Sequence, residues 1–398
     1  MWNVLSGVRI LDLSRVFAGP AATQVLGDLG ADVIKVEPPA GDPVRAVPPF
    51  LRDRAGPDSG LLWIALNANK RGVRLDLPRE VDRLRALLSS ADVLVQARDV
   101  VDKATAASWS PSLITVSVTP YGLAGPLAGV PASDLEVTAS SGALALAGEP
   151  DRAPVRTTLA QSPFWSGMYA AMGALFALAA RAATRRGQQV DVSGQASMVT
   201  VHPPAAVHWD VANEEHHRLG AFLIGRSRVG ARFRNIWDCA DGHVSFAIQG
   251  GPIGRHTGRM LAAWMDARGF RAPQFTAIDW DAFDNRTLTQ EQVNTLEAEV
   301  GAFFRTLTKR EFFAGVIGRN MLGYPVADAS DVYADAQLSA REFWQETPID
   351  GTTLPFPGGF ALFDGERPRV RRGPPRLGEH DAEVLPTPAR VGRGAVTA

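Results

Sequence analysis

The side chains that could do chemistry cluster midway along the 398-residue chain. Asp134, Glu136, Glu149 and Asp151 precede a long uncharged stretch that opens at Gln161-Ser162-Pro163. A carboxylate beside an activated acyl group is a nucleophile for covalent catalysis; on an open surface it is a solvated charge. Asp134, Glu136 and Asp151 are the candidates of this kind. Ser162 would need a base beside it to attack an acyl group, and no such base is recognisable in the neighbouring sequence. Ser followed by Pro is, however, a standard helix start, with the hydroxyl accepting from a free backbone N–H and Pro in the first helical position. Ser162 is therefore read as a helix cap. Since Asp also caps well, Ser162→Asp is expected to change stability by less than about 1 kcal/mol. Further on, Arg226, Arg228, Arg232 and Arg234 crowd one segment, where they can hold a carboxylate or a phosphate by charge-assisted hydrogen bonds.

Several other chemistries lack their residues. The first strand is followed by Ser14-Arg15-Val16-Phe17-Ala18-Gly19-Pro20, with no G-x-G-x-x-G, so a dinucleotide fold would not imply NAD. No G-x-x-x-x-G-K-[ST] occurs, and His216 and His217 are adjacent while the other histidines are scattered, so no metal is expected. A formal net charge of -1 supplies no global field for nucleic acid. The single Cys239 cannot form an internal disulfide, and Met1-Trp2-Asn3-Val4 lacks the basic start and apolar run of a signal peptide, so the expected compartment is the cytoplasm. Residues 163–180 carry no charge and approach the length of a membrane span, but they are Ala- and Gly-rich and flanked by catalytic-looking sequence. They are read as a helix buried on all faces, with no membrane partner.

The elements that must position these residues alternate in type. Val8 to Leu13 reads as a strand, Gly19-Pro20 as a turn into a helix ending near Gly30, and Ala31 to Val36 as the next strand. Val73 to Leu77, Ala91 to Val95 and Leu113 to Val118 continue the strands, with Val81, Leu84, Leu87 and Leu88 at helical spacing between them. Such alternation predicts an open, mostly parallel α/β sheet of Rossmann-like type. From about Gly225 the texture changes to a hairpin around Asp241-Gly242 followed by helices, which predicts a smaller α+β domain. The expected division is a large domain over 1–224, the small domain over 225–325 and a return segment over 326–398 that completes the large domain, with a frayed end at 386–398.

Ordered motifs along nearly the whole chain resemble family III CoA-transferases, the CaiB/BaiF family that includes formyl-CoA transferase and α-methylacyl-CoA racemase. They are Gly7 to Leu13 with Ala18-Gly19-Pro20, Leu29 to Pro38 with Gly41-Asp42-Pro43, and Asn67 to Val73. Tyr121-Gly122 with Gly125-Pro126, Arg185 to Ser193, and Pro374 to His380 complete the set. The resemblance implies an α/β fold in which the large domain is built from both chain ends, with open rings interlocked as a dimer. It implies coenzyme A or an acyl-CoA as substrate, a small carboxylic acid as acceptor, and a homodimer or homologous heterodimer. By position it implies CoA contacts at Arg15, Val16, Ala18, Asn69, Lys70, Arg71 and Tyr121, and at Gln96, whose amide remains beside the position, Ala97, that lacks the family's aromatic. Arg226 and Arg228 would face the substrate.

One departure concerns the reaction itself. The family's acyl-accepting Asp aligns with Ser162 or Pro163, and the proton-transfer residues of the racemase branch align near Ser133 and Ser162. Three readings follow: transfer of CoA between carboxylic acids through a different carboxylate, a non-catalytic subunit working with a chain that keeps the Asp, or a racemase-like enzyme.

Overall fold

The first strands read as near-continuous apolar runs because the sheet they build is covered on both faces. The computed structural model describes residues 3–15, 18–77, 79–97, 100–201, 203–223, 227–349 and 351–385. Its six-stranded sheet comprises β1 (Arg9–Asp12), β2 (Asp32–Glu37), β3 (Lys70–Arg74), β4 (Val93–Gln96), β5 (Ile114–Thr119) and β6 (Gln189–Ser193). All pairs are parallel, in the order β3-β2-β1-β4-β5-β6. The helices between and after them are α1 (Ala18–Asp28), α2 (Leu61–Asn67), α3 (Val81–Ser89), α4 (Lys103–Trp109), α5 (Asp134–Ser140), α6 (Ser162–Thr184), α7 (Gly194–Val201) and α8 (Pro203–Ala212).

Successive strand residues bury to opposite sides. Ile10, Val33, Val93, Val95 and Val116 pack against Ala22 and Leu26 of α1 and Ala170, Ala171 and Ala174 of α6. Leu11, Ile34, Val36, Val73 and Leu94 pack against Leu84, Leu87 and Leu88 of α3 and Ala106 of α4. Helices α1 and α6 meet at backbone distance: a Cβ on Gly167 would lie 2.8 Å from the Ala18 carbonyl oxygen and from Ala21 Cβ. Small residues make that approach possible, and they also limit how much of α6 is covered. Phe164, Trp165 and Met172 are exposed and Phe176 is 67% exposed, so the expected burial on all faces does not hold within one chain. Among the described residues α6 is the one helix long and apolar enough to cross a membrane by length and composition.

The return segment lies against the edge strand β3. Asn69, at φ 62, accepts the N–H groups of Arg371 (2.6 Å) and Arg372 (3.2 Å) on Oδ1 and donates Nδ2 to the Arg369 carbonyl (3.2 Å). His380 N–H bonds the Gly72 carbonyl (3.0 Å). An otherwise open edge is thereby covered. Strand β3 begins at Lys70, not Val73, because Lys70 and Arg71 are ladder residues facing Val33 and Ile34.

The chain divides into two units: one runs to Leu144 and includes Arg156–Glu215 and the chain from Ala336 onward, and the other comprises Ala145–Val155 and His216–Asp335. The second unit thus takes in a piece of chain before α6 and begins nearer 216 than 225. Its hairpin, Ile236–Cys239 with Gly242–Ser245, packs on helices Gly251–Ala267, Gln290–Phe304 and Lys309–Gly318. Trp237, Trp264, Phe303, Phe304 and Phe312 fill that core. The frayed end expected at 386–398 lies outside the described residues.

Candidate active site

In a parallel sheet, each strand delivers its following loop to one edge, and here the strand order reverses between β1 and β4. The crevice at such a reversal, outside the strand ends, is where open α/β sheets take their ligands. Arg15 leaves the end of β1 exposed at this edge, and half-buried Tyr121 follows β5. Helix α6 must run back from this edge to feed β6, so its first residue, Ser162, starts here. Ala18 opens α1 beside it, in contact with the second turn of α6 through Gly167.

The turn after β1 is pinned from beneath by a buried polar cluster. Asp12 accepts from Ser14 N–H (3.0 Å), from the Ser14 hydroxyl, and from Thr23 Oγ1 (2.6 Å). The Lys35 ammonium lies 3.6 Å from Asp12 Oδ1 and 2.9 Å from Asp42 Oδ2, and donates to the Ser14 carbonyl. Burial alone would raise the Asp12 carboxyl, but the ammonium groups of Lys35 and Lys70 and the two hydroxyls hold it at about 2. Burial likewise disfavours the Lys35 ammonium, yet Asp12 and Asp42 together raise it above its ordinary value. Lys70 has only a share of Asp12, at 3.3 Å, and burial pulls it down to about 8. Asp12 and Lys35 were missed in the sequence, although a lysine inside the apolar run Val33-Ile34-Lys35-Val36 is a signal of buried pairing.

The start of α6 overturns the reading of Ser162 as the cap. Asp134 Oδ1 accepts from Gln161 N–H (2.9 Å), Ser162 N–H (2.8 Å) and the Ser162 hydroxyl (2.9 Å). The Ser162 hydroxyl donates instead of accepting, and Ser162 is 4% exposed. The cap comes from the first residue of another helix, α5, whose own start is capped by Ser133 and Glu136. An anion at the positive end of a 23-residue helix is electrostatically favoured. The carboxylate that meets the Ser162 hydroxyl comes from 28 residues away in sequence. The same geometry reverses the expectation for Ser162→Asp, which would set two carboxylates within hydrogen-bond distance of each other.

Other expected residues are dispersed. Glu136 is exposed and bonded to Ser133 N–H at 2.8 Å, and its hydrogen bonds with Ser133 lower its carboxyl. Asp151 and Arg228 are exposed residues of the second unit. Lys70 is no surface clamp: its ammonium is enclosed and bonds Thr23 Oγ1 (2.8 Å), Asn67 Oδ1 (3.0 Å) and the Pro20 carbonyl (3.1 Å). The Gln96 amide is committed to the fold, bonding both backbone groups of Val101 (3.1 Å) and Ser117 Oγ (3.1 Å). Asn69 clips the return segment, and Arg71 stands at the opposite, strand-start edge, paired with Asp32 and Glu383. Val16 and Arg226 lie outside the described residues. Among the described residues no group of three or more His, Cys, Asp or Glu is placed to hold a metal ion.

Comparison with known proteins places the chain. Residues 5–381 match the family described as CoA-transferase family III. The chain is 35% identical to the succinyl-CoA:(R)-benzylsuccinate CoA-transferase subunit BbsE of Thauera aromatica, over 97% of this chain and 94% of that protein. It is 30% identical to a succinate–glutarate CoA-transferase of Agrobacterium fabrum, over 96% and 94%. A CaiB/BaiF family crystal structure from Brucella suis superposes with a TM-score of 0.77 at 26% identity, covering 95% of this chain and 97% of that one.

Proposed function

We propose, on the premise that this chain belongs to CoA-transferase family III, that it is the subunit of a CoA-transferase that does not supply the acyl-accepting carboxylate. A homologous partner chain supplies that carboxylate, in an interlocked cytoplasmic dimer. The single observation that carries this reading is the start of α6, where a buried serine hydroxyl stands and the nearest carboxylate, Asp134, is occupied as the cap. Two features support it. One relative is itself named as a subunit, and Phe164, Trp165, Met172 and Phe176 leave an apolar face of α6 uncovered. The substrates are a CoA thioester and a small carboxylic acid; succinyl-CoA or succinate stands in the names of both relatives, which makes succinyl-CoA the first donor to try. CoA lies at the strand-end edge, with Arg15 and Tyr121 the chain's own contacts.

The chain is incubated with succinyl-CoA and candidate acids, alone and with a family chain that carries Asp at the start of the corresponding helix. Transfer only in the mixture supports the subunit reading; full turnover by this chain alone would sink it. A second reading rests on the 2.9 Å contact between the Ser162 hydroxyl and Asp134, which pairs a serine nucleophile with a carboxylate acceptor for its proton. That reading requires an acyl ester on Ser162 and loss of turnover in Ser162→Ala with CoA binding intact.

A further inference from the structure

The strand-start edge of the sheet, away from the proposed CoA site, holds a cavity of about 500 Å³ walled by Asn3, Gly30, Arg71, Arg371, Arg372 and Glu383. Its carboxylates are already matched. Arg71 reaches Asp32 with Nε (3.0 Å) and Nη2 (2.6 Å) and Glu383 with Nη1 (2.7 Å), and Arg9 Nε adds a second cation to Asp32 at 3.0 Å. Arg371 and Arg372 are different. Their backbone is fixed by Asn69, but among the described residues neither guanidinium makes an ion pair. Arg371 gives Nη2 to the Gly27 carbonyl (2.7 Å) and Nη1 to Asn3 Oδ1 (3.4 Å), both neutral acceptors.

Arg372 faces a donor surplus. Its Nη1 lies 3.0 Å from His380 Nε2, while His380 Nδ1 meets the Gly72 N–H at 3.2 Å. A neutral imidazole has one acceptor nitrogen and a protonated one has none, so an N–H at this ring always lacks an acceptor. Arg371 feels Asp28, and Arg372 feels Glu383, only at longer range than an ion pair, so two guanidinium groups beside an unmatched N–H leave a place for an anionic acceptor, and the planar guanidinium matches a tetrahedral oxyanion by paired hydrogen bonds.

We propose that this cavity binds a phosphate-type oxyanion across Arg371 and Arg372. The anion ties the return segment to the start of the sheet, because both arginines lie on that segment while Asn3 and Gly30 belong to the first part of the chain. The proposal does not depend on which chain performs the transfer.

Isothermal titration of the full chain with inorganic phosphate, ADP and succinate, at ionic strength held constant with potassium chloride, tests it. Saturable binding of phosphate or ADP is expected. ADP counts only for the binding that the double variant at Arg371 and Arg372 loses: equal affinity for both ligands there assigns the site to the free ion, and tighter ADP binding assigns it to a nucleotide phosphate. Arg371→Ala with Arg372→Ala should weaken binding at least about tenfold, whereas Arg310→Ala, at an exposed residue of the second unit, should leave it unchanged. Should the double variant not fold, Arg372→Gln decides: folded protein with wild-type phosphate affinity overturns the proposal. So does the absence of saturable binding by wild type, or tighter binding of succinate than of phosphate.

Discussion

Two aspartates at opposite ends of packed helices behave differently. Asp134 stands at the start of α6 and takes three donors on one oxygen. Asp28 is the last residue of α1, the helix that packs against α6, and takes Asn69 Nδ2 (2.7 Å) and Gln24 Nε2 (2.9 Å). A helix start favours an anion and a helix end opposes one. Burial raises the Asp28 carboxyl to about 6, against the hydrogen bonds of Asn69 and Gln24 and the charge of Arg371. Asp134 thus fastens the start of α6 through three donors, while Asp28 titrates near 6. A carboxylate near a catalytic-looking helix start is not thereby a nucleophile; what its oxygens already hold decides.

The largest expected effect comes from Asp134→Ala, which strips two backbone N–H groups and a buried hydroxyl of their acceptor. Urea unfolding should show a loss of about 3 kcal/mol; a loss below about 1 kcal/mol would mean that Asp134 is not the working cap. Ser162→Asp comes next, costing about 2 kcal/mol at pH 7 through repulsion with Asp134. Adding Asp134→Ser exchanges the two positions and should recover most of that loss, read as a coupling energy in a double-mutant cycle.

Asp28 sharpens the contrast through pH. Its folded value of about 6 exceeds the unfolded 3.8, so the folded state holds its proton more tightly. The associated stability is complete below about 4 and is lost as pH rises through 6. Unfolding free energies across pH 4 to 7 should fall by about 2 kcal/mol from this group, and Asp28→Asn should flatten that slope. The smallest effect is expected at helix Gln290–Phe304, whose cap is local: Thr289 accepts Gln292 N–H at 3.3 Å, and Thr289→Ala should cost about 1 kcal/mol.

The Thr289 cap also marks the limit of what the chain's order reveals. Capping residues three apart are legible in sequence, as at Thr289 with Gln292 and Ser133 with Glu136. Asp134 and Ser162 are 28 residues apart, and only the packing of α5 on α6 brings them together. Strands β1, β2, β4 and β5 and helix α6 follow from apolar runs bounded by Gly and Pro. Strand β3 was displaced because Lys70 and Arg71 look like surface charges, and nothing in local pattern shows that Asp12 awaits Lys70 across the fold. Arg15 and Tyr121 follow the ends of β1 and β5 and Ala18 opens α1, all at the strand-end edge, while Asn69 and Arg71 belong to the other edge.

The central claim is that this chain presents no carboxylate or hydroxyl that accepts an acyl group. Intact-protein mass spectrometry after incubation with succinyl-CoA alone, with and without hydroxylamine, measures that directly. The account predicts the unmodified mass at every time point. A covalent acyl or CoA adduct that maps to the peptide carrying Asp134 or Ser162, and that hydroxylamine removes, would contradict it.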